Sequence, residues 1–95
     1  MIVQTLIAAT LAASVALSGQ QYLPQAKITL AQARAIAMRA LPGATIVAQE
    51  LEKERGGSGL RFSFDMKSHG KAYEVGVDAK TGKIVEKAQE GAHPD

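Results

Sequence analysis

LRFSFDMKSHGKAYEVGVD, residues 60–78, decides the fold class. Leu60, Phe62, Phe64 and Met66 alternate strictly with Arg61, Ser63 and Asp65, and after a turn at His69 and Gly70 the same period returns. Tyr73, Val75 and Val77 then alternate with Glu74, Gly76 and Asp78. A period of two over this length specifies strands with one apolar and one polar face. Two such strands across a short turn specify an antiparallel pair.

Working outward, DAKTGK at residues 78–83 reads as a tight hairpin with Gly82 in the left-handed position, leading into a short strand at Ile84 and Val85. Upstream, Gly56, Gly57, Ser58 and Gly59 form a loop, and residues 45–54 form a first strand. Ile46, Val47 and Leu51 do not share one parity there, which predicts a bulge or a twisted edge. Further upstream the period becomes helical. Thr29 with Gln32 three residues later makes a capping box. Ala33, Ile36, Ala37, Ala40 and Leu41 then follow the spacing of one helix face, and Pro42 and Gly43 stop the helix. A helix with one apolar stripe and a meander with one apolar face bury each other. The expected fold is therefore α+β, with one N-terminal helix packed on an antiparallel sheet of three to four strands.

The first part of the chain has a different character, since no Lys, Arg, Asp or Glu precedes Lys27. LIAATLAASVAL, residues 6–17, has the length of a signal-peptide apolar region and is too short to span a membrane. Ala16 and Ser18 satisfy the small-x-small rule for cleavage before Gly19, and Ser14 and Ala16 offer a second site before Leu17. The departure from pattern is an n-region, residues 1–5, without Lys or Arg. The expected organisation is a signal peptide at 1–18, an extended linker at 19–27, a folded domain at 28–87 and a frayed polar tail at 88–95. The corresponding localisation is periplasmic or secreted, with membrane contact only transient, through the signal segment.

Composition narrows the classes of function. Ninety-five residues support one domain. The absence of cysteine excludes a disulfide framework, a thiolate nucleophile and lipid attachment at a cysteine. Eleven basic against nine acidic residues give a net charge of +2, with the lysines dispersed among acids, a poor footprint for nucleic acid.

Two segments resemble the PepSY domain family. ITLAQARAIAMRALPGATI, residues 28–46, is similar to the family's alanine-rich opening helix ending in Pro-Gly before a strand. YEVGVDAKTGKIV, residues 73–85, is similar to its closing strand, Asp-Ala-x-Thr-Gly hairpin and final short strand. The resemblance implies an exported module found alone, in membrane proteins and in propeptides of thermolysin-type metallopeptidases. It carries over no catalytic residues. The shared positions, Ala33, Ile36, Ala37, Pro42, Gly43, Tyr73, Val75, Val77, Asp78 and Gly82, are expected to be fold determinants.

The search for chemistry returns little. In Gly56–Gly59, Leu60 stands where a nucleophile elbow needs its second glycine. His69 and His93 have no second imidazole at metal-ligand spacing, so no metal site and no cofactor are expected. Glu50, Glu52 and Glu54 share a strand face opposite Lys53 and Arg55, which reads as an ordinary solvated face or as an acidic row offered to a cationic partner. Glu74, Asp78, Arg61 and Asp65 are expected on the same polar outer sheet face, where Gly76 marks a bulge or a close backbone approach. The candidate partner surface is Gln49, Glu50, Glu52 and Gly76, with the strand at 45–54 as an exposed edge able to pair with an extended segment. The expected function is a non-enzymatic binding module that restrains or inhibits a peptidase or another envelope protein. The alternative is a structural or sensory accessory of an envelope signalling or metal-handling system, without inhibition.

Overall fold

A computed structural model describes residues 15–91. In chain order these form β1 (Leu17–Ser18), a 3-10 helix (Gln20–Gln25), α1 (Leu30–Ala40), β2 (Thr45–Lys53), β3 (Leu60–Ser68), β4 (Lys71–Asp78) and β5 (Ile84–Gln89). The strands make one sheet in the order β1-β2-β3-β4-β5, with β1 parallel to β2 and each later pair antiparallel. The class is α+β as expected, but the sheet has five strands rather than three to four and is mixed.

Both differences come from β1, at one end of the sheet. β1 lies within residues 1–18, read as leader, and is too short to show a period of two. β5 continues past Lys87 to Gln89, and the Glu90 amide donates to the Ala72 carbonyl at 2.8 Å, so pairing holds residues expected to fray. The segment expected as an extended linker is instead a 3-10 helix, which Pro24 tolerates because its fixed φ suits that geometry. Tyr22 packs against the core there, and the Lys53 ammonium stands 5.2 Å from the centre of its ring. Lys27 and Ile28 then donate to the Ala79 carbonyl at 2.9 and 3.1 Å, tying the entry of α1 to the end of β4. Residues 1–14 of the expected leader lie outside the described residues. Among the described residues no helix is long and apolar enough to cross a membrane.

α1 starts as its sequence directs. The Gln32 amide donates to Thr29 Oγ1 at 3.0 Å and the Thr29 amide to Gln32 Oε1 at 2.8 Å, satisfying two helix-end donors reciprocally. At the other end Leu41, ahead of Pro42, leaves helical geometry. Ala33 and Ala37 are fully buried because their small side chains let the helix approach the sheet, while Leu30, Ile36, Ala40 and Leu41 flank the contact half-buried.

The sheet face beneath the helix carries Phe62, Phe64, Met66, Val75 and Val77, all without solvent exposure, with Leu51 beside them. The Phe62 and Phe64 rings stack with centroids 6.4 Å apart. Each of these side chains contributes about 1.5–3 kcal/mol by leaving water. In β2 the register with β3 shifts between Ile46 and Ala48, leaving Val47 exposed. This bulge accounts for the mixed parity of the β2 sequence: Ile46 and Leu51 both reach the core although five positions separate them.

Candidate functional site: the open face of the sheet

The face opposite the helix is built by the same alternation that builds the core. Register pairs Ala48 with Asp65, Glu50 with Ser63 and Glu52 with Arg61 across β2 and β3. Asp65 pairs with Glu74 and Ser63 with Gly76 across β3 and β4, and Gly76 pairs with Glu86 across β4 and β5. Glu50, Glu52, Asp65, Glu74 and Glu86 therefore share one face. The carboxylates of Asp65, Glu74 and Glu90 lie within 4.8 Å of one another, a spacing that oxygen ligands of a hard cation also adopt and that exposed acids commonly reach without one.

Two cations of β3 share this parity, the exposed Lys67 and Arg61, and Arg61 offsets the charge from within. Arg61 is buried on the outer parity, donating from Nη1 to Glu86 Oε1 at 3.0 Å and from Nη2 to the Arg55 carbonyl at 2.7 Å. Ser63 Oγ donates to Glu52 Oε2 at 2.6 Å. The remaining acids repel one another. The Glu50 carboxyl is pushed up from its ordinary value, chiefly by the neighbouring Glu52 charge, then by partial burial, a hydrogen bond with Glu52, and Asp65 and Glu54. The Glu74 carboxyl is also pushed up, first by burial and then by Glu86, Asp65, Glu90 and Glu52. Such a face attracts positive charge and disfavours anions.

The residues singled out in the sequence do not all meet here. Glu50 and Glu52 lie on the open face. Gly76 lies at its centre, but a side chain there would meet Glu86 Cβ at 3.2 Å and Arg61 Cδ at 3.3 Å, so the space is filled by the chain's own ion pair. The β4–β5 ladder shifts its register immediately after Gly76. Gln49 points the other way and is buried beneath the sheet, its Oε1 accepting from Arg34 Nη1 at 2.6 Å and its Nε2 donating to the Val15 carbonyl at 2.6 Å. The edge of β2 expected to be exposed is covered by β1 opposite Gln49 and Glu50, and is open near Val47. Arg34, on the helix, had no signal pointing to Gln49, because the contact spans two elements.

Asp78 corrects a second expectation. Placed by parity on the polar outer face, it is 1% exposed and acts as a hub. It accepts from Ser58 Oγ at 2.9 Å, the Ser58 amide, the Lys80 amide at 2.8 Å and the Thr81 amide at 3.0 Å. Burial alone would raise its pKa, but these donors outweigh it and hold the carboxyl at about 2. The Gly56–Gly59 loop is thereby pinned to the β4–β5 turn. An aspartate opening a turn and followed by Thr-Gly is the sequence signal for this local bonding; the partnership with Ser58 had none.

Among the other shared positions, Ala33, Ala37, Val75 and Val77 are buried, Ile36, Tyr73 and Gly82 are half-buried, and Pro42 and Gly43 form the exposed turn after α1. His69 occupies a left-handed turn position with φ 52°, its Nδ1 3.1 Å from Ser68 Oγ. His93 and its neighbours lie outside the described residues.

Comparison with curated proteins and with solved structures returns no significant match. Residues 27–88 match the family model described as PepSY, peptidase propeptide and YPEB domain. That span runs from three residues before α1 through the helix and strands β2, β3 and β4 into β5, so the open acidic face, apart from Glu90, belongs to it. The chain belongs to the PepSY family.

Proposed function

We propose that this chain is exported and acts as a non-enzymatic binding module that restrains a peptidase or another protein of the cell envelope, meeting it with the acidic open face of the sheet. PepSY domains are propeptide-like or inhibitor-like modules that interact with proteins such as peptidases, which supports a protein partner. The observation that carries the reading is the concentration of Glu50, Glu52, Asp65, Glu74, Glu86 and Glu90 on and beside one uncovered face of a chain whose net charge is +2. Like charge is the chief cause of the raised pKa of Glu50 and adds to burial in raising that of Glu74, and this repulsion destabilises the isolated domain. A cationic surface on the partner relieves that repulsion on binding, and complementarity of this kind accelerates encounter and rejects other partners.

The test is capture from the envelope followed by mass spectrometry, and then inhibition of the recovered peptidase by purified protein. The wild-type chain is compared with a Glu50→Gln, Glu52→Gln, Glu74→Gln triple variant, which removes charge without removing volume. The expected result is weaker capture by the triple variant and wild-type binding that falls as salt rises. Undiminished capture by the folded triple variant overturns the acidic face as the contact.

A further inference from the structure

The end of the leader can be placed from the fold. Toward the end of the apolar run, three pairs satisfy the small-x-small rule: Ala12 with Ser14, Ser14 with Ala16, and Ala16 with Ser18. They permit cleavage before Val15, Leu17 or Gly19, and residue type alone does not choose among them.

The packing of residues 15–22 does. Leu17 and Ser18 pair with Gln49 and Glu50 as a parallel strand on the edge of β2, and Leu17 packs against the core. Gly19 has φ 82°, and a Cβ built on it would fall onto the Leu51 carbonyl. A residue with a side chain is thus excluded at that point by the backbone of β2, as the chain passes from β1 into the 3-10 helix close against the sheet. Gln20 Nε2 closes the turn by donating to the Leu17 carbonyl at 3.1 Å, and the Tyr22 amide donates to the Gly19 carbonyl at 3.0 Å. Beneath β2 the buried Gln49 amide finds its acceptor in the Val15 carbonyl. Cleavage before Gly19 would remove the strand and uncover the β2 edge; cleavage before Leu17 keeps the strand, and cleavage before Val15 keeps the acceptor of Gln49 Nε2 as well.

We infer that the leader is cut upstream of β1, before Leu17 or Val15, so that Leu17, Ser18 and Gly19 remain in the mature protein as the strap closing the β2 edge. The inference rests on the export reading above. With the strap in place, a partner's extended segment reaches the edge opposite Gln49 and Glu50 only by displacing it.

The experiment is export of the full chain with its own leader in a bacterial host, followed by intact-mass measurement of the envelope species. A mature chain starting at Leu17 or Val15 is expected. One starting at Gly19 or beyond, or an envelope species retaining Met1, overturns the placement while leaving export standing, whereas a full-length chain confined to the cytoplasm overturns the export reading and the placement with it. Gly19→Ala in the same exported protein supplies a second readout. A docked strap predicts a melting temperature lower by several degrees, and an unchanged one contradicts docking at Gly19.

Discussion

The two faces of the sheet are made by alternate residues of the same strands, yet they obey opposite rules. Beneath the helix, Phe62, Phe64, Met66, Val75 and Val77 exclude water, and stability grows with every contact. On the open side, Glu50, Asp65, Glu74 and their neighbours accumulate like charge, which lowers stability while projecting a field. The covered face is where the fold is determined, and the open face is free to be shaped by what it meets. Asp78 is the instructive intermediate. It lies on the outer parity, yet burial and four donors make it behave as part of the interior.

The largest effect expected from this contrast lies in adjacent residues of β3. Phe64→Ala should cost about 3–5 kcal/mol, a large fraction of the stability of so small a domain. Asp65→Ala, one position along, should be within about 0.5 kcal/mol of wild type. Urea or thermal melts decide it, and equal losses would break the division into faces.

Removing the hub comes next. Asp78→Ala leaves the Ser58, Lys80 and Thr81 amides without their acceptor and should cost about 2–4 kcal/mol. Its pH dependence sharpens the point. Because the folded pKa is depressed to about 2 from 3.8, the stabilisation is fully present above the ordinary value and is lost as pH falls through about 2. Melts across that range should show an acid loss in the wild type that Asp78→Asn flattens.

The smallest effect has the opposite sign. Glu50 and Glu74 titrate above their ordinary value of 4.5, so the folded state binds their protons more tightly than the unfolded chain. The associated stability is present below the ordinary value and is lost as pH rises through the raised folded one. Glu74→Gln should therefore stabilise the isolated domain at neutral pH by roughly 0.5 kcal/mol, with the gain vanishing in acid. Destabilisation at neutral pH would mean that Glu74 is held by attraction, and the open face would lose its character as a surface of unrelieved like charge.

Much of this was readable in advance where one element carried its own signal. The capping box at Thr29 and Gln32, the stop at Pro42 and the period of β3 and β4 depend on residues a few positions apart. The mixed parity of β2 likewise announced its bulge. The acidic row was legible along the first strand as Glu50, Glu52 and Glu54, and parity placed Asp65 and Glu74 on a polar outer face; joining these with Glu86 into one acidic surface needed the register of three further strands. Gly76 stood out as an anomaly, but only the packing showed that Arg61 fills the space it leaves.

What the sequence determined by itself was periodicity, and with it the elements, the core face and the family, because hydrophobic alternation and turn chemistry act within short stretches of chain. Tertiary structure decided what distant residues do to one another. It buried Asp78 by bringing Ser58 to it, turned Gln49 inward to meet Arg34 and Val15, and laid Leu17 and Ser18 against β2 as a strand. Two residues have no period to read, and a carboxylate's character depends on which donors the fold delivers to it.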